Sequence, residues 1–319
     1  MITTPIVSVI MSIYKEPVDW LHQSIDSILN QTFSDFEFII ICDNPNYLEC
    51  KALLEDYKAR DNRIVIIYNE SNIGLTRSLN KGLSVVRGDY IARMDADDIS
   101  VPERFEKQLS FFNDHPEIGI CGSSISFFGD REGNKTYPQD MDDMFLFLES
   151  CFAHPTVMIK KTALGTSRYN EKCIVSQDYD LWVDKYNQGV EFANIQECLL
   201  NYRYSGQQIM TTKNALQIQT SQNIRKKALG VYYKKCKKTI TYDIDHWQFD
   251  YANLIIKDLN ITSGNIKSQL WYYSFLSVNK PLIWFIHMLV IRGYFFRIPF
   301  MDSLRLLYFN IKGIQIPKF

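Results

Sequence analysis

Three carboxylates lie within four residues at the end of a short apolar run, in the segment YIARMDADD at positions 90–98. Charged groups at the end of a buried strand are unfavourable unless a cation neutralises them. A divalent metal ion is the simplest such cation, because hard cations bind clustered carboxylate oxygens and often keep a phosphate as a further ligand. The sequence therefore predicts a metal–diphosphate site in which Asp95 and Asp97, a D-x-D pair, bind the metal ion.

The alternative for this cluster is an acidic helix N-terminus, a common arrangement because the helix dipole favours negative charge there. Asp98 or Ser100 alone would satisfy that alternative, and we assign Asp98 to the helix that follows. Ser100 and Glu103 have the spacing of a capping box for the same helix. Asp95 and Asp97 are not needed for a helix cap, so metal binding is favoured for them.

Other polar residues follow predicted strands, and each has a structural alternative. Asp43 either forms an Asx turn with the next residues or accepts a hydrogen bond from a uracil or ribose edge. Asn72 stands in a turn that is also explained as a plain helix entry. Arg77 is either a solvated surface arginine or a phosphate ligand, and Asn80 lies three residues further on the same helix, on a neighbouring face.

Three residues in the second half of the chain are further candidates. Asp178 either caps a helix or is a general base that takes a proton from an attacking hydroxyl group. His154 precedes a proline, and a histidine in that position is more often part of a turn than functional. Arg203 is either structural or a clamp on a diphosphate when a nearby loop closes.

The elements that must position these residues alternate between strand and helix in the first 120 residues. We predict strands over 6–13, 36–42, 64–68, 90–94 and 118–122, with helices near 20–29, 47–60 and 75–86 and after 103. This alternation predicts βαβ units and a mostly parallel sheet. Ligands of such sheets bind beyond the carboxyl ends of the strands, so the polar residues named above should gather along one edge.

The pattern changes in the remainder of the chain. We predict strands over 157–161 and 198–204, a helix that begins near Gln177, and a mainly helical region over 213–319. A domain boundary near residue 210 would divide the chain into residues 1–210 and a helical C-terminal region, 211–319.

Composition excludes several classes of protein. The 319 residues are 46% hydrophobic, which excludes a disordered chain, and the formal net charge of −1 gives no argument for nucleic-acid binding. The seven cysteines are scattered without a C-x-x-C pair, as expected for a reduced, cytosolic protein rather than a disulfide framework or a zinc site. We see no signal peptide, and no apolar run reaches the roughly 20 residues that a spanning helix needs.

The segment 281–311 combines a high apolar content with three arginines and one acidic residue. It suits a helix pair that lies in a membrane interface, with aromatic side chains in the lipid and arginines at anionic headgroups. The alternative is a helical cap packed on the domain or on another subunit, which would make a homodimer. The basic stretch at 225–238 is explained as a solvated helix face.

Six segments in this order resemble bacterial family 2 glycosyltransferases that build capsule, exopolysaccharide or O-antigen, over about residues 5–210. They are IVSVIMSIYKEP, IIICDNPN, NESNIGLTRSLNKG, GDYIARMDADDISVPERFEKQ, HPTVMIKK and SQDYDLWVDKYNQG. The resemblance implies the GT-A fold, an α/β, Rossmann-like architecture with flanking helices. It also implies a UDP-sugar donor, Mn²⁺ or Mg²⁺, and an undecaprenyl-diphosphate-linked saccharide acceptor at the cytoplasmic face of the plasma membrane.

The resemblance also suggests roles for individual residues. The uracil and ribose side would be bordered by Ser12, Tyr14, Glu16 and Asp43, and the nucleotide and phosphate side by Asn72, Arg77 and Asn80. Asp97 would be the main metal ligand and Asp95 would contact both nucleotide and metal. Asp178 would be the base, Arg203 would lie by a loop that closes over the donor, and His154 and Gln177 would border the acceptor or donor-sugar pocket.

Three departures from the family pattern concern this site. Ser12 replaces a proline of the first strand, and the segment CDNP at 42–45 replaces Asp-Asp-Gly-Ser. Gln177 replaces a glutamate beside Asp178. Without that like charge, Asp178 should ionise more readily.

The reaction expected is an inverting, metal-dependent transfer of galactose, glucose or GlcNAc from a UDP-sugar to a sugar acceptor. The alternatives are a nucleotidyltransferase and a non-catalytic nucleotide-binding protein with a similar sheet. A nucleotidyltransferase or a dinucleotide-binding enzyme would need a glycine-rich loop after the first strand. This chain has SIYKEP at 12–17, without a glycine.

Overall fold

The computed structural model describes residues 4–139, 150–205 and 214–235. The chain up to Ala228 forms one compact unit. The segment 281–311, with its predicted membrane-interface or subunit-packing helices, lies outside the described residues, and the boundary near residue 210 stays a prediction. Among the residues that are described, no helix has the length and apolar character required to cross a bilayer.

Strands and helices alternate through the first part of the chain. They are β1 (Val7–Ile13), α1 (Val18–Leu29), β2 (Phe36–Cys42), α2 (Leu48–Arg60), β3 (Ile64–Tyr68), α3 (Leu75–Leu83), β4 (Tyr90–Asp95), β5 (Ile99–Ser100), α4 (Arg104–Asp114), β6 (Ile118–Gly129) and β7 (Gly133–Lys135). After these come a 3₁₀ turn (His154–Thr156), β8 (Met158–Lys160), α5 (Lys161–Leu164), α6 (Gln177–Asn187), β9 (Glu191–Tyr204) and α7 (Asn214–Lys235).

These strands form one sheet in the order β3-β2-β1-β4-β8-β6-β9-β5, and β7 pairs with β6. The pairs β1–β2, β1–β4, β2–β3 and β6–β9 are parallel, and the shorter pairings of β8, β5 and β7 are antiparallel. The prediction of a mostly parallel sheet with flanking helices is confirmed. The carboxyl ends of β1, β2, β3 and β4 therefore meet at one edge.

Burial explains why the first strands are apolar throughout. Every residue of β1 and β2 is buried, as expected for parallel strands with both faces covered. The helix α1 covers the sheet with Leu21, Ile25 and Ile28, each fully buried and each worth about 1.5–3 kcal/mol relative to an exposed position.

Two local predictions differ from the structure. The prediction of a capping box at Ser100 is wrong. The helix α4 begins at Arg104 without a side-chain cap, and Ser100 lies in β5, where it pairs with Leu200 of β9. The strands β6 and β9 are longer than the predicted 118–122 and 198–204, because they pair with each other over most of their length.

Candidate active site

The acidic cluster lies where β4 ends and the chain turns into β5. Carboxylate oxygens of Asp95, Asp97 and Asp98 all lie within 4.8 Å of one another. Asp95 and Asp97 are partly exposed, whereas Asp98 is fully buried. A cluster with this donor set and partial exposure fits a hard divalent cation that also contacts a phosphate.

The Asp98 side chain is hydrogen-bonded to β9 and not to α4, the helix that follows Asp98 in the chain. Its Oδ1 accepts a hydrogen bond from the backbone N–H of Arg203 at 2.8 Å, and its Oδ2 has no hydrogen-bond partner among the described residues. Burial, followed by the charges of Asp97 and Asp95, raises the pKa of Asp98 well above its usual range. The assignment of Asp98 to the N-terminus of α4 is wrong, and a buried carboxylate oxygen without a partner fits a cation site.

Two buried arginines lie next to the cluster, and sequence reasoning missed both. Arg93 forms an ion pair with Asp95 through its Nη2, and Arg104 donates through its Nη2 to the backbone oxygen of Arg93 at 2.7 Å. Burial, followed by the neighbouring Arg93, lowers the pKa of Arg104 to about 9. The one signal in the sequence was the presence of Arg93 inside an otherwise apolar strand.

Arg203 holds the turn of the acidic cluster in place. Its Nε donates to the backbone oxygen of Asp97 at 2.7 Å, and its Nη2 donates to Oε1 of Gln23 at 2.6 Å. The guanidinium group lies 4.6 Å from the ring centroid of Trp20 and 4.4 Å from that of Phe128. These contacts give Arg203 a structural role next to the cluster, and the predicted clamp on a diphosphate stays a prediction.

Asp43 organises the turn that follows β3. Its Oδ1 accepts hydrogen bonds from Nδ2 of Asn69 at 2.8 Å and from the backbone N–H of Ile73 at 2.9 Å, and its Oδ2 accepts from Gly74 at 2.8 Å. The Asx turn is made by Asn44 instead, whose Oδ1 accepts from Asn46. Because a carboxylate has about four acceptor sites, Asp43 retains capacity for one further donor.

Three predicted residues lie at the end of β1, beside the same edge. Ser12 pairs with Asp95 in the parallel register of β1 and β4. Tyr14 is 40% exposed, and its backbone N–H donates to the carboxylate of Glu16 at 2.8 Å. Burial raises the pKa of Glu16. The topology therefore brings these residues near Asp43 and the acidic cluster, as predicted.

The residues predicted for the phosphate side lie at and after the turn at 72–74. Asn72 accepts from the backbone N–H of Gly74 at 3.0 Å, and Gly74 has a φ of +85°, which explains the glycine. Arg77 forms an exposed ion pair with Glu171 at 3.2 Å. The side-chain amide of Asn80 bonds to both backbone polar groups of Tyr169, each at 2.9 Å. These contacts tie α3 to the loop at 165–176, and the phosphate roles stay predictions.

Asp178 lies in the first turn of α6, where its Oδ2 accepts a weak hydrogen bond from Oγ of Ser150 at 3.3 Å. Burial raises the pKa of Asp178, and the hydrogen bonds from Tyr179, its own backbone N–H and Ser150 lower it by less. The absence of a negative charge at Gln177, a buried residue, was expected to favour ionisation of Asp178. The burial of Asp178 has the larger effect, so its pKa is raised. Sequence reasoning did not find Ser150, which is 28 residues away in the chain.

His154 begins the 3₁₀ turn, in agreement with its assignment as a turn histidine. Its Nε2 lies 2.9 Å from the hydroxyl group of Tyr169, and its ring packs edge-on against Trp182. Burial lowers the pKa of His154 well below its usual range, so the ring is neutral at physiological pH.

Comparison with known proteins addresses the family. The model of "Glycosyl transferase family 2" matches residues 8–174. The chain is 36% identical to the uncharacterized glycosyltransferase MJ1057 of Methanocaldococcus jannaschii, over 79% of this chain and 87% of that protein. It is 38% identical to the O-antigen biosynthesis glycosyltransferase WbnJ of Escherichia coli, over 66% of this chain and 83% of WbnJ.

A third relative is named for both its donor and its acceptor. The chain is 31% identical to the UDP-Gal:alpha-D-GlcNAc-diphosphoundecaprenol beta-1,3-galactosyltransferase of Escherichia coli, over 63% of this chain and 75% of that enzyme.

Two solved structures share the fold at low sequence identity. The complex of S. aureus TarS 1-349 with UDP-GlcNAc has a TM-score of 0.58 at 13% identity and covers 98% of this chain and 93% of TarS 1-349. The mannosyltransferase PcManGT of Pyrobaculum calidifontis, in complex with GDP-Man and Mn²⁺, has a TM-score of 0.57 at 10% identity, over 98% of this chain and 81% of PcManGT.

These likenesses confirm the GT-A fold and the enzyme class, and the family match displaces the alternatives of a nucleotidyltransferase and a non-catalytic binding protein. Relatives named for O-antigen synthesis agree with the surface-polysaccharide assignment. The chain belongs to glycosyltransferase family 2.

Proposed function

We propose that this chain is an inverting, metal-dependent hexosyltransferase of surface-polysaccharide synthesis. It moves galactose, glucose or GlcNAc from a UDP-sugar to a sugar acceptor linked to a lipid diphosphate. The observation that supports this proposal best is the carboxylate cluster at the end of β4, where one oxygen each of Asp95, Asp97 and Asp98 lies within 4.8 Å of the others. Among the described residues, Oδ2 of Asp98 has no hydrogen-bond partner.

The donor end of the site lies along the carboxyl edge of β1, β2 and β4. Ser12, Tyr14, Glu16 and Asp43 border the uracil and ribose, and the remaining acceptor capacity of Asp43 suits the N–H of a uracil ring. The phosphate side is bordered by Asn72, Arg77, Asn80 and Arg203. The TarS complex with UDP-GlcNAc, of the same fold, supports a UDP-sugar as donor.

Asp95 and Asp97 would hold Mn²⁺ or Mg²⁺, with Asp97 as the main ligand. When bound, such an ion neutralises charge that develops on the diphosphate leaving group. Arg93 fixes the Asp95 carboxylate and Arg203 fixes the backbone at Asp97, so the chain holds both ligands in place. The mannosyltransferase complex with Mn²⁺ supports a divalent ion in this fold.

Asp178 takes the proton of the attacking acceptor hydroxyl group. The hydroxyl oxygen forms a bond to C1 of the sugar while the bond from C1 to the UDP oxygen breaks on the opposite face, so the configuration at C1 is inverted. Its burial makes Asp178 a stronger proton acceptor than an exposed aspartate. His154 and Gln177 border the sugar pocket beside it.

The acceptor proposal comes from the relative that is named for a GlcNAc-diphosphoundecaprenol acceptor. An acceptor on a lipid places the enzyme at the cytoplasmic face of the plasma membrane as a peripheral protein. The segment 281–311 would provide that contact or, alternatively, a homodimer contact.

A panel of donors tests the proposal through UDP release. UDP-galactose, UDP-glucose and UDP-GlcNAc are each offered with a lipid-diphosphate-linked sugar, with Mn²⁺ and with EDTA. We expect one donor to be turned over in an acceptor-dependent and EDTA-sensitive way. Release that is equal without acceptor, or equal in EDTA, contradicts the proposal.

A further inference from the structure

The helix that presents Asp178 begins in an unusual way. Ser176, directly before α6, has a φ of +57° and is the one non-glycine residue with a positive φ in the part of the chain described here. The side chain of Ser176 makes no capping hydrogen bond to the first turn of α6. Because Ser176 has a strained backbone conformation and its side chain provides no cap, contacts with other elements help to fix the start of α6.

The buried carboxylate of Asp180 makes those contacts. Its Oδ1 accepts from Nζ of Lys227 on α7 at 2.7 Å, and its Oδ2 accepts from Nδ2 of Asn170 at 3.1 Å. Lys227 also pairs with Asp184 at 2.8 Å, one turn further along α6. Residues two apart on a helix point to nearly opposite sides, so Asp180 and Asp184 hold α6 from the side away from Asp178.

Other bonds join the same elements. The hydroxyl groups of Ser176 and Ser221 lie 3.1 Å apart, which connects α7 to the residue that precedes α6. The loop at 165–176 is bonded to α3 through Thr76, which donates to the backbone oxygen of Cys173 at 3.0 Å, and through Asn80. Asp180, on α6, therefore bonds both to α7 and to the loop at 165–176.

We propose that Lys227 is a positioning residue for the transfer reaction, because it holds Asp180 and with it the helix on which Asp178 lies. This inference rests on the proposed role of Asp178. Lys227 lies beyond residues 8–174, which the family model matches, so the family pattern does not assign it. Misplacing a reacting group by about 1 Å can cost 100-fold in rate, so a loss of kcat is expected when this contact is removed.

The test compares Lys227→Met with Lys227→Arg and with the control Lys58→Met, which removes a lysine charge from an exposed position of α2. We expect Lys227→Met to lower kcat by about 10-fold or more with an unchanged KM for the UDP-sugar, and Lys227→Arg to restore most of it. We also expect faster deuterium uptake in residues 174–184 of Lys227→Met alone.

A wild-type kcat in folded Lys227→Met, or a KM for the donor that rises in parallel with the loss, overturns the proposal. If Lys227→Met does not fold, Lys227→Gln, which replaces the ammonium with a shorter, uncharged amide and so loses the ion pairs with Asp180 and Asp184, must show the same split. If the wild-type chain transfers no sugar, the proposed function fails, whereas unchanged deuterium uptake in residues 174–184 overturns the positioning role by itself.

Discussion

Oδ1 of Asp98 accepts a hydrogen bond of 2.8 Å from the backbone N–H of Arg203, which lies 105 residues further along the chain. Together with the bond from the Arg203 side chain to the backbone oxygen of Asp97, this contact fixes the acidic turn against β9. The geometry of the carboxylate cluster therefore depends on β9 as much as on β4, which contributes its first aspartate.

Replacing Arg203 with methionine tests this dependence. The variant keeps the backbone bond to Asp98 but loses the side-chain bonds to Asp97 and Gln23, so the turn should loosen. We expect affinity for UDP in the presence of Mn²⁺ to fall by about 10-fold, with a loss of about 1–3 kcal/mol in the free energy of unfolding. Calorimetric titration and thermal unfolding measure the two effects, and unchanged values for both would contradict the structural role.

Removal of one proposed metal ligand should abolish the effect of the metal ion on donor binding. In Asp97→Ala the cluster loses one of its two partly exposed carboxylates. We expect UDP affinity to become equal in Mn²⁺ and in EDTA, as measured by calorimetry. The matched control is Asp130→Ala, an exposed aspartate that is not part of the cluster, and it should retain the response to Mn²⁺. EDTA-sensitive transfer retained by Asp97→Ala would count against the assignment.

The turn after β3 should collapse when its buried carboxylate is removed. Asp43→Ala removes the acceptor of the Ile73 N–H and one of the two acceptors of the Asn69 amide, while the Gly74 N–H keeps only its bond to Asn72. A buried donor without a partner costs about 1–3 kcal/mol, so we expect a lower midpoint of thermal unfolding and weaker UDP binding. Asn46→Ala, at an exposed position three residues away, should change the midpoint little. A pair of variants with equal midpoints would disprove the role of Asp43 in the turn.

The raised pKa of Asp178 predicts the pH dependence of transfer. The proposed base acts only when ionised, so kcat/KM should fall as pH falls through a pKa above the ordinary aspartate value of about 3.9. The effect on folding has the opposite sign. A carboxyl group whose pKa is raised in the folded state contributes stability at low pH, and this contribution is lost as pH rises through the folded pKa. A rate profile that is flat down to the ordinary aspartate pKa would contradict the raised pKa of Asp178.

The fold and the acidic cluster could be predicted because their signals are local. The apolar runs of β1 and β2 indicate buried parallel strands, and the D-x-D pair directly follows another such run. Contacts between distant residues give no local signal, and these were the ones missed: Arg104 with Arg93, Ser150 with Asp178, and Lys227 with Asp180.

Asp98 shows why a local rule failed. Acidic residues before a helix usually interact with the helix dipole, and this rule assigned Asp98 to α4. The intervening β5 pairs with β9 instead, which buries Asp98 against the backbone of Arg203. A tertiary contact thus replaced the local one, and the sequence around 98–104 contains no sign of its partner.

The most direct test of the account is transfer by Asp178→Asn at saturating UDP-sugar and acceptor. The amide has the same shape but cannot take a proton, so we expect the rate to fall by about 100-fold or more while calorimetric affinity for UDP with Mn²⁺ stays the same. Turnover by Asp178→Asn at the wild-type rate would contradict the assignment of Asp178 as the base.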